Sequence, residues 1–148
     1  MKRTAYLAMI MIFSTLLYSC DKEKLITQSE LPSASREFIS THFSGVNISM
    51  IVKEREIFSC SYTVYLGNGF EIDFTKSGDW DDIDGKHTAI PESILTLLPK
   101  NILVYTANTI PDCYIVEINR EHYGYEIGLS NDIDLKFNTK GEFLRMDD

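Results

Sequence analysis

The sequence predicts an α+β fold: a tandem repeat of one helix plus antiparallel β-strands, with the helices packed on one face of a shared sheet. Three observations carry this. The first is Ser61–Trp80, SYTVYLGNGFEIDFTKSGDW, where two alternating runs flank Gly67-Asn68-Gly69. Tyr62, Val64, Leu66, Phe70, Ile72 and Phe74 take one parity, while Thr63, Tyr65, Glu71 and Asp73 take the other. Period-two patterning around Asn-Gly marks a β-hairpin.

The second observation is self-similarity. Tyr62, Val64, Leu66, Ile72, Phe74, Gly78 and Trp80 match Tyr125, Ile127, Leu129, Leu135, Phe137, Gly141 and Phe143 at a constant offset of 63. Upstream the offset is 67, pairing Phe38, Phe43, Ile48 and Ile51 with Tyr105, Ile110, Ile115 and Ile118. The third is size. At 148 residues and 44% hydrophobic, the chain suits one compact domain or two small halves sharing a core. One unit alone has a single apolar sheet face and one helix to cover it, too little core to stand by itself.

Taken in order, Met1–Cys20 (MKRTAYLAMIMIFSTLLYSC) opens with Lys2 and Arg3 and continues as an apolar run of about 13 residues. A membrane span needs about 20. Residues 1–19 therefore read as a secretory signal peptide. Leu17-Tyr18-Ser19-Cys20 resembles the lipobox of bacterial lipoproteins, which makes Cys20 the lipidation site; the alternative is an ordinary signal peptide with an incidental cysteine. Two or three acyl chains hold a protein firmly, at about 0.8 kcal/mol per buried methylene. The expected location is the cell envelope, on the periplasmic or cell-surface face of the outer membrane. Residues 20–30 lack apolar periodicity and read as a lipidated tether.

Residues 31–148 form the folded part, with repeat one over 31–84 and repeat two over 90–148. Leu31-Pro32-Ser33 starts a helix that ends near Ser44-Gly45, where glycine accepts φ > 0. Val46–Ile57 reads as a strand with Ile48, Met50 and Val52 alternating, and the hairpin follows. DWDDIDGKH reads as an acidic loop. Ile90-Pro91 opens a short helix to Leu98, and Lys100–Asn108 is a second one beyond Pro99. Tyr114–Arg120, Tyr123–Leu129 and Ile133–Asn138 read as strands, with Phe143–Met146 as one more. Trp80 is assigned to the core because its counterpart Phe143 keeps a large aromatic there.

The pattern Tyr-x-Val-x-Leu-x-Asn-Gly, Ile-x-Phe and Gly-x-Trp resembles the PepSY-like, β-lactamase-inhibitor-like domain of Bacteroidetes lipoproteins. It covers nearly all of the mature chain, and its residues are structural. In the second copy Asp132 replaces the turn glycine and Phe143 the tryptophan, both acceptable there. The resemblance implies an α+β fold, a periplasmic or surface location and, loosely, a binding or inhibitory role.

Composition narrows function further. Net charge is −8, and becomes −10 without the first 19 residues, because Lys2 and Arg3 leave and no acidic residue does. Such a surface repels phosphate backbones, which argues against a nucleic-acid partner. No His-Glu-x-x-His, Cys-x-x-Cys, Gly-x-Ser-x-Gly or Walker loop occurs, and His42, His87 and His122 lie far apart. No catalytic constellation and no cofactor are expected. Parity leaves Thr63, Tyr65, Glu71 and Asp73, with Glu126, Asp134 and Lys136, on a face pointing away from the helices. The expected function is binding of an envelope protein or peptide on that open face, without catalysis. The alternative is calcium or small-molecule binding through Asp79–Asp84, although neither Asp79 nor Asp81 gives an EF-hand register. Cys60 and Cys113 remain after lipidation; outside the cytoplasm an even pair suggests a disulfide, and two buried thiols are the other reading.

Overall fold

A computed structural model describes residues 23–147; the signal peptide and Cys20 lie outside them. The strands are β1 (Glu23–Leu25), β2 (Ile48–Arg55), β3 (Cys60–Leu66), β4 (Glu71–Thr75) and β5 (Trp80–Asp84), then β6 (Ile115–Glu121), β7 (Gly124–Leu129), β8 (Asp134–Asn138) and β9 (Phe143–Asp147). They form one nine-stranded sheet in sequence order, antiparallel at every pair. Helix α1 (Ser33–His42) lies between β1 and β2, and α2 (Glu92–Leu95) and α3 (Lys100–Thr109) lie between β5 and β6.

One row of apolar side chains runs across the sheet. Ile51 pairs with Val64, Val64 with Ile72, Ile72 with Ile83, Ile83 with Ile118, Ile118 with Ile127 and Ile127 with Leu135. All are buried, and they share a core with Ile39 of α1, Phe43 just beyond its end, Ile94 of α2 and Ile102 of α3. Rings pack along this contact: Phe38 lies 5.9 Å from Phe74 and 6.3 Å from Trp80, and Tyr105 lies 5.6 Å from Phe137. Trp80 is buried, with the Arg120 guanidinium 3.6 Å from its ring centroid. Phe143 is 37% exposed and stacks on Tyr105 at 4.4 Å, since β9 is the edge strand and nothing among the described residues covers its far side.

Turn chemistry follows the local sequence. Gly69 has φ +93° and Asp132, 63 positions on, has φ +63°, a conformation that aspartate accepts as a single residue. Four irregularities break the strand pairings: opposite Leu66 and Tyr65 the bulge is at Ser49, opposite Leu129 and Gly128 at Val116, opposite Phe74 and Asp73 at Asp81, and opposite Phe137 and Lys136 at Leu144. Ser49 and Val116 are 67 apart, and Asp81 and Leu144 are 63 apart.

Three expectations are corrected. The tether does not run to residue 30: Glu23–Leu25 pair with Val52–Glu54, and Gln28–Glu30 form a 3-10 turn closed by Thr27 and Glu30. That turn fixes a polar stretch that has no apolar period to reveal it. Asp79–Asp84 is not a loop, because Trp80–Asp84 is a strand inside the sheet. Cys60 and Cys113 are free, half-buried thiols. Cys60 precedes Val64 and Cys113 precedes Ile118, residues of one cross-sheet row on antiparallel strands, so the two cysteines lie at opposite ends of the sheet. At about 3.3 Å per residue they are separated by at least roughly 25 Å, far beyond the ~7 Å that a disulfide tolerates. Millimolar reductant is therefore expected to leave the thermal midpoint unchanged; a fall of several degrees would contradict this topology.

Candidate functional site

The face opposite the apolar row is carboxylate-rich. Thr63 pairs with Asp73, Asp73 with Asp82, Asp82 with Asn119, Asn119 with Glu126, Glu126 with Lys136 and Lys136 with Arg145. Beside this row runs a second, in which Tyr65 pairs with Glu71, Glu71 with Asp84, Asp84 with Glu117, Glu117 with Gly128, Gly128 with Asp134 and Asp134 with Asp147. Strand alternation sends both rows to the same side. The structure thus brings together all seven expected face residues: Thr63, Tyr65, Glu71, Asp73, Glu126, Asp134 and Lys136.

Cations neutralise the two flanks. Lys86 bonds Glu71 at 2.9 Å and also pairs with Asp84. Lys136 sits 3.1 Å from Glu126 and 3.0 Å from Asp147, and Tyr123 donates to Glu126 at 2.9 Å. Between these flanks stand Asp73, Asp82, Glu117 and Asp134, with no salt-bridge partner among the described residues. One carboxylate oxygen each of Asp73 and Asp82 is buried without a hydrogen bond.

Burial and crowding raise these acids. Burial first, then Glu117, Asp73, Asp84 and Glu71, pushes Asp82 up to about 7. Asp73 is raised by burial and only partly held back by hydrogen bonding from Thr63. Burial first, then neighbouring carboxylates, raises Glu117 and Asp134. Gly128 has no side chain to fill the space between Glu117 and Asp134, where an added Cβ would lie 2.9 Å from Glu117 Cβ. Lys86, Glu117, Gly128 and Asp134 line a recess of about 250 Å³ there. An ammonium or guanidinium entering this face would meet carboxylates that lack partners, and its charge would favour their ionised form.

Asp82, Asp84 and Glu117 were not legible as face residues. The bulge at Asp81 spaces the inward Trp80 and Ile83 three apart, and the bulge at Val116 does the same to Ile115 and Ile118; both erase the period-two signal. His42, His87 and His122 are not gathered. His42 Nδ1 lies 2.9 Å from Ser93 Oγ, linking α1 to α2, and His122 is largely exposed. Among the described residues no three His, Cys, Asp or Glu side chains converge in a metal-holding arrangement.

Fold and face define a single-sheet α+β protein with one half-exposed acidic face. Residues 60–145 match the family described as "Putative beta-lactamase-inhibitor-like, PepSY-like", and the chain belongs to that family. A solved "putative calcium-regulated periplasmic protein" of Bacteroides thetaiotaomicron is similar at 32% identity and TM-score 0.80, over 86% of this chain and 98% of that one. Two Bacteroides vulgatus proteins, each described as a "putative periplasmic protein", are similar at TM-score 0.79. Their identities are 32% and 33%, covering 87% and 85% of this chain and 99% of each of theirs. No curated protein matches the chain at a significant level. No described helix is long and apolar enough to cross a membrane.

Proposed function

We propose that the protein is a non-enzymatic envelope lipoprotein that binds a basic protein or peptide segment on the open face of its sheet. The observation that carries the reading is the central strip Asp73, Asp82, Glu117 and Asp134: acidic, half-buried and flanked, but not neutralised, by Lys86 and Lys136. Half-buried charges without partners cost stability, and a basic side chain docking there would offset that cost. Tyr65 at the edge of the strip supplies a large amphipathic contact surface. The periplasmic descriptions of the relatives support an envelope location, and the Ser19-Cys20 junction supports a lipid anchor at Cys20. Among the described residues no metal cluster speaks for catalysis.

The same reading takes the fold as two copies of one unit, with α1 and α3 on one sheet face. The paired bulges support it. So do Gly78 and Gly141, 63 apart, both at positive φ and both packed on a helix start, against Pro32 and Pro99. The domain then spans residues 31–148 with β1 added at its edge.

A second reading has a specific observation behind it: one relative is described as calcium-regulated. In that reading calcium meets the carboxylates of the sheet face rather than an Asp79–Asp84 loop, and has to draw them together, since no three of the described carboxylates stand in a metal-holding arrangement. The two are separated by capture from envelope extract and by melting. The peptide-binding reading expects a partner caught by the parent and lost with Tyr65→Ala/Glu71→Ala, and a thermal midpoint equal in millimolar calcium and in chelator. A calcium-dependent rise in midpoint, with no partner caught, would replace it with the ion reading.

A further inference from the structure

Away from the carboxylate face, a groove of about 540 Å³ lies between the C-terminal end of α1 and the start of β2. Ile26, Ile39, Phe43, Ile48 and Ile51 line it, together with polar residues that include Gln28 and Ser40. Three of these wall residues, Ile39, Phe43 and Ile51, belong to the core, so the groove opens on the helix side of the sheet.

The second half of the chain carries the same framework. At the offset of 67, Leu31, Ile48, Ser49 and Ile51 correspond to Leu98, Ile115, Val116 and Ile118. The frame agrees in its hydrogen bonds: Gly67 N–H donates to Asn47 O at 2.8 Å, and Ser130 N–H to the corresponding Tyr114 O at 2.9 Å. There, however, the chain leaving β5 continues along β6. Gly85 N–H donates to Val116 O at 2.8 Å and Ile90 N–H to Ile115 O at 2.9 Å, and Ile90 and Ile94 are buried.

In the first half the chain leaving β1 makes one such bond, Ile26 N–H to Ile51 O at 3.1 Å, and then turns through Gln28–Glu30 to reach Leu31. Only Thr27–Glu30 stand where the second half has Asp84–Leu97. No amide from Ile26–Leu31 reaches the Ile48 carbonyl. The place that Ile90 fills in one half is an open groove in the other.

We propose that this groove binds an extended aliphatic segment of a partner protein. Such a segment lays a branched aliphatic side chain on Ile39, Phe43 and Ile51 and donates its backbone amide to the Ile48 carbonyl, as Ile90 does to Ile115. Main-chain bonding supplies affinity and the apolar floor selects the side chain. The proposal rests on the correspondence between the two halves and not on the carboxylate face.

The probe is a fluorescent synthetic peptide with the sequence of residues 86–98, titrated into the full chain. Saturable binding is expected. It should weaken at least about tenfold when the peptide carries Ile90→Asp, or when the protein carries Ser40→Arg at an exposed α1 position on the groove wall. Asp82→Asn should leave binding unchanged, so failure here and failure of the carboxylate-face reading are told apart. Absence of binding at millimolar peptide overturns the proposal, as does binding indifferent to Ser40→Arg. Binding seen only after removal of residues 1–22 would assign the groove to the chain's own N-terminus, and a concentration-dependent dimer that the peptide dissolves would assign it to a second copy; either also overturns it.

Discussion

Gly78→Ala and Gly141→Ala are each expected to destabilise the fold by about 3 kcal/mol or more, lowering the thermal midpoint by roughly 10 °C. Gly78 has φ +94°, and a Cβ there would stand 2.6 Å from Pro32 Cβ and 2.9 Å from Ser35 Oγ. Gly141 has φ +77°, and its Cβ would stand 2.8 Å from Pro99 Cβ and 3.2 Å from Ile102 Cγ1. The left-handed backbone alone costs an alanine about 1 kcal/mol. The remainder is overpacking, since each neighbour belongs to a helix start and cannot swing away. Ser35 is fully buried and donates to the Gly78 carbonyl at 3.2 Å, fixing that contact further. Gly69→Ala is the control: φ is +93° but nothing lies within 4 Å, so only the backbone cost of about 1 kcal/mol should appear. Chemical denaturation of the three variants checks this. Equal losses at Gly69 and Gly78 would mean that the helix starts do not pack closely on the hairpin turns.

Asp82→Asn is expected to stabilise the protein at pH 8 by about 1–3 kcal/mol, and to change little at pH 4. Asp82 is raised from the ordinary aspartate value of 3.8 to about 7, chiefly by burial. The folded state therefore binds this proton more tightly than the unfolded state. Stability falls as pH rises from about 4 through about 7, and the full cost is present above the folded value. A shift of this size corresponds to up to about 4 kcal/mol, reduced here because the carboxylate is partly exposed. Asparagine has the shape of the protonated acid without its titration, so the variant's stability should be flatter between pH 4 and 8. Asp73, Glu117 and Asp134 are raised in the same direction and leave part of the slope behind. Urea midpoints across this range are the measurement. A variant that is less stable than the parent at pH 8 would show that the Asp82 carboxylate is held by favourable interactions.

What the sequence made legible was local. Hairpins announced themselves through Asn68-Gly69 and the alternation around them, and Asp132 took the left-handed turn position that its alignment with Gly69 required. Trp80 was correctly placed in the core. The face residues Thr63 to Asp73 and Glu126 to Lys136 followed from parity, because those strands contain no bulge within the paired stretch.

Two kinds of information were hidden. Bulges at Asp81 and Val116 shifted the phase of β5 and β6, so Asp82 and Asp84 looked like part of a loop, and Glu117, although read within a strand, was not assigned to the face. Aspartate-rich DWDDID also has poor intrinsic strand preference, which sheet context overrides. Long-range pairing was the other gap. Nothing local says that Asp82–Asp84 meets Glu117–Asn119 and fuses the halves into one sheet, or that Glu23–Leu25 adds to β2. The same ignorance let Cys60 and Cys113 look like a pair when the topology sends them to opposite ends.

The most direct test of the central claim is a titration of the full chain with a fluorescent lysine-rich decapeptide, at low salt and at 0.5 M salt, beside Asp82→Asn/Glu117→Gln. Saturable binding by the parent, weakened by salt and by about fivefold or more in the variant, is the predicted result. Binding of equal strength to parent and variant, or none at low salt, would contradict a basic-segment site on the open sheet face.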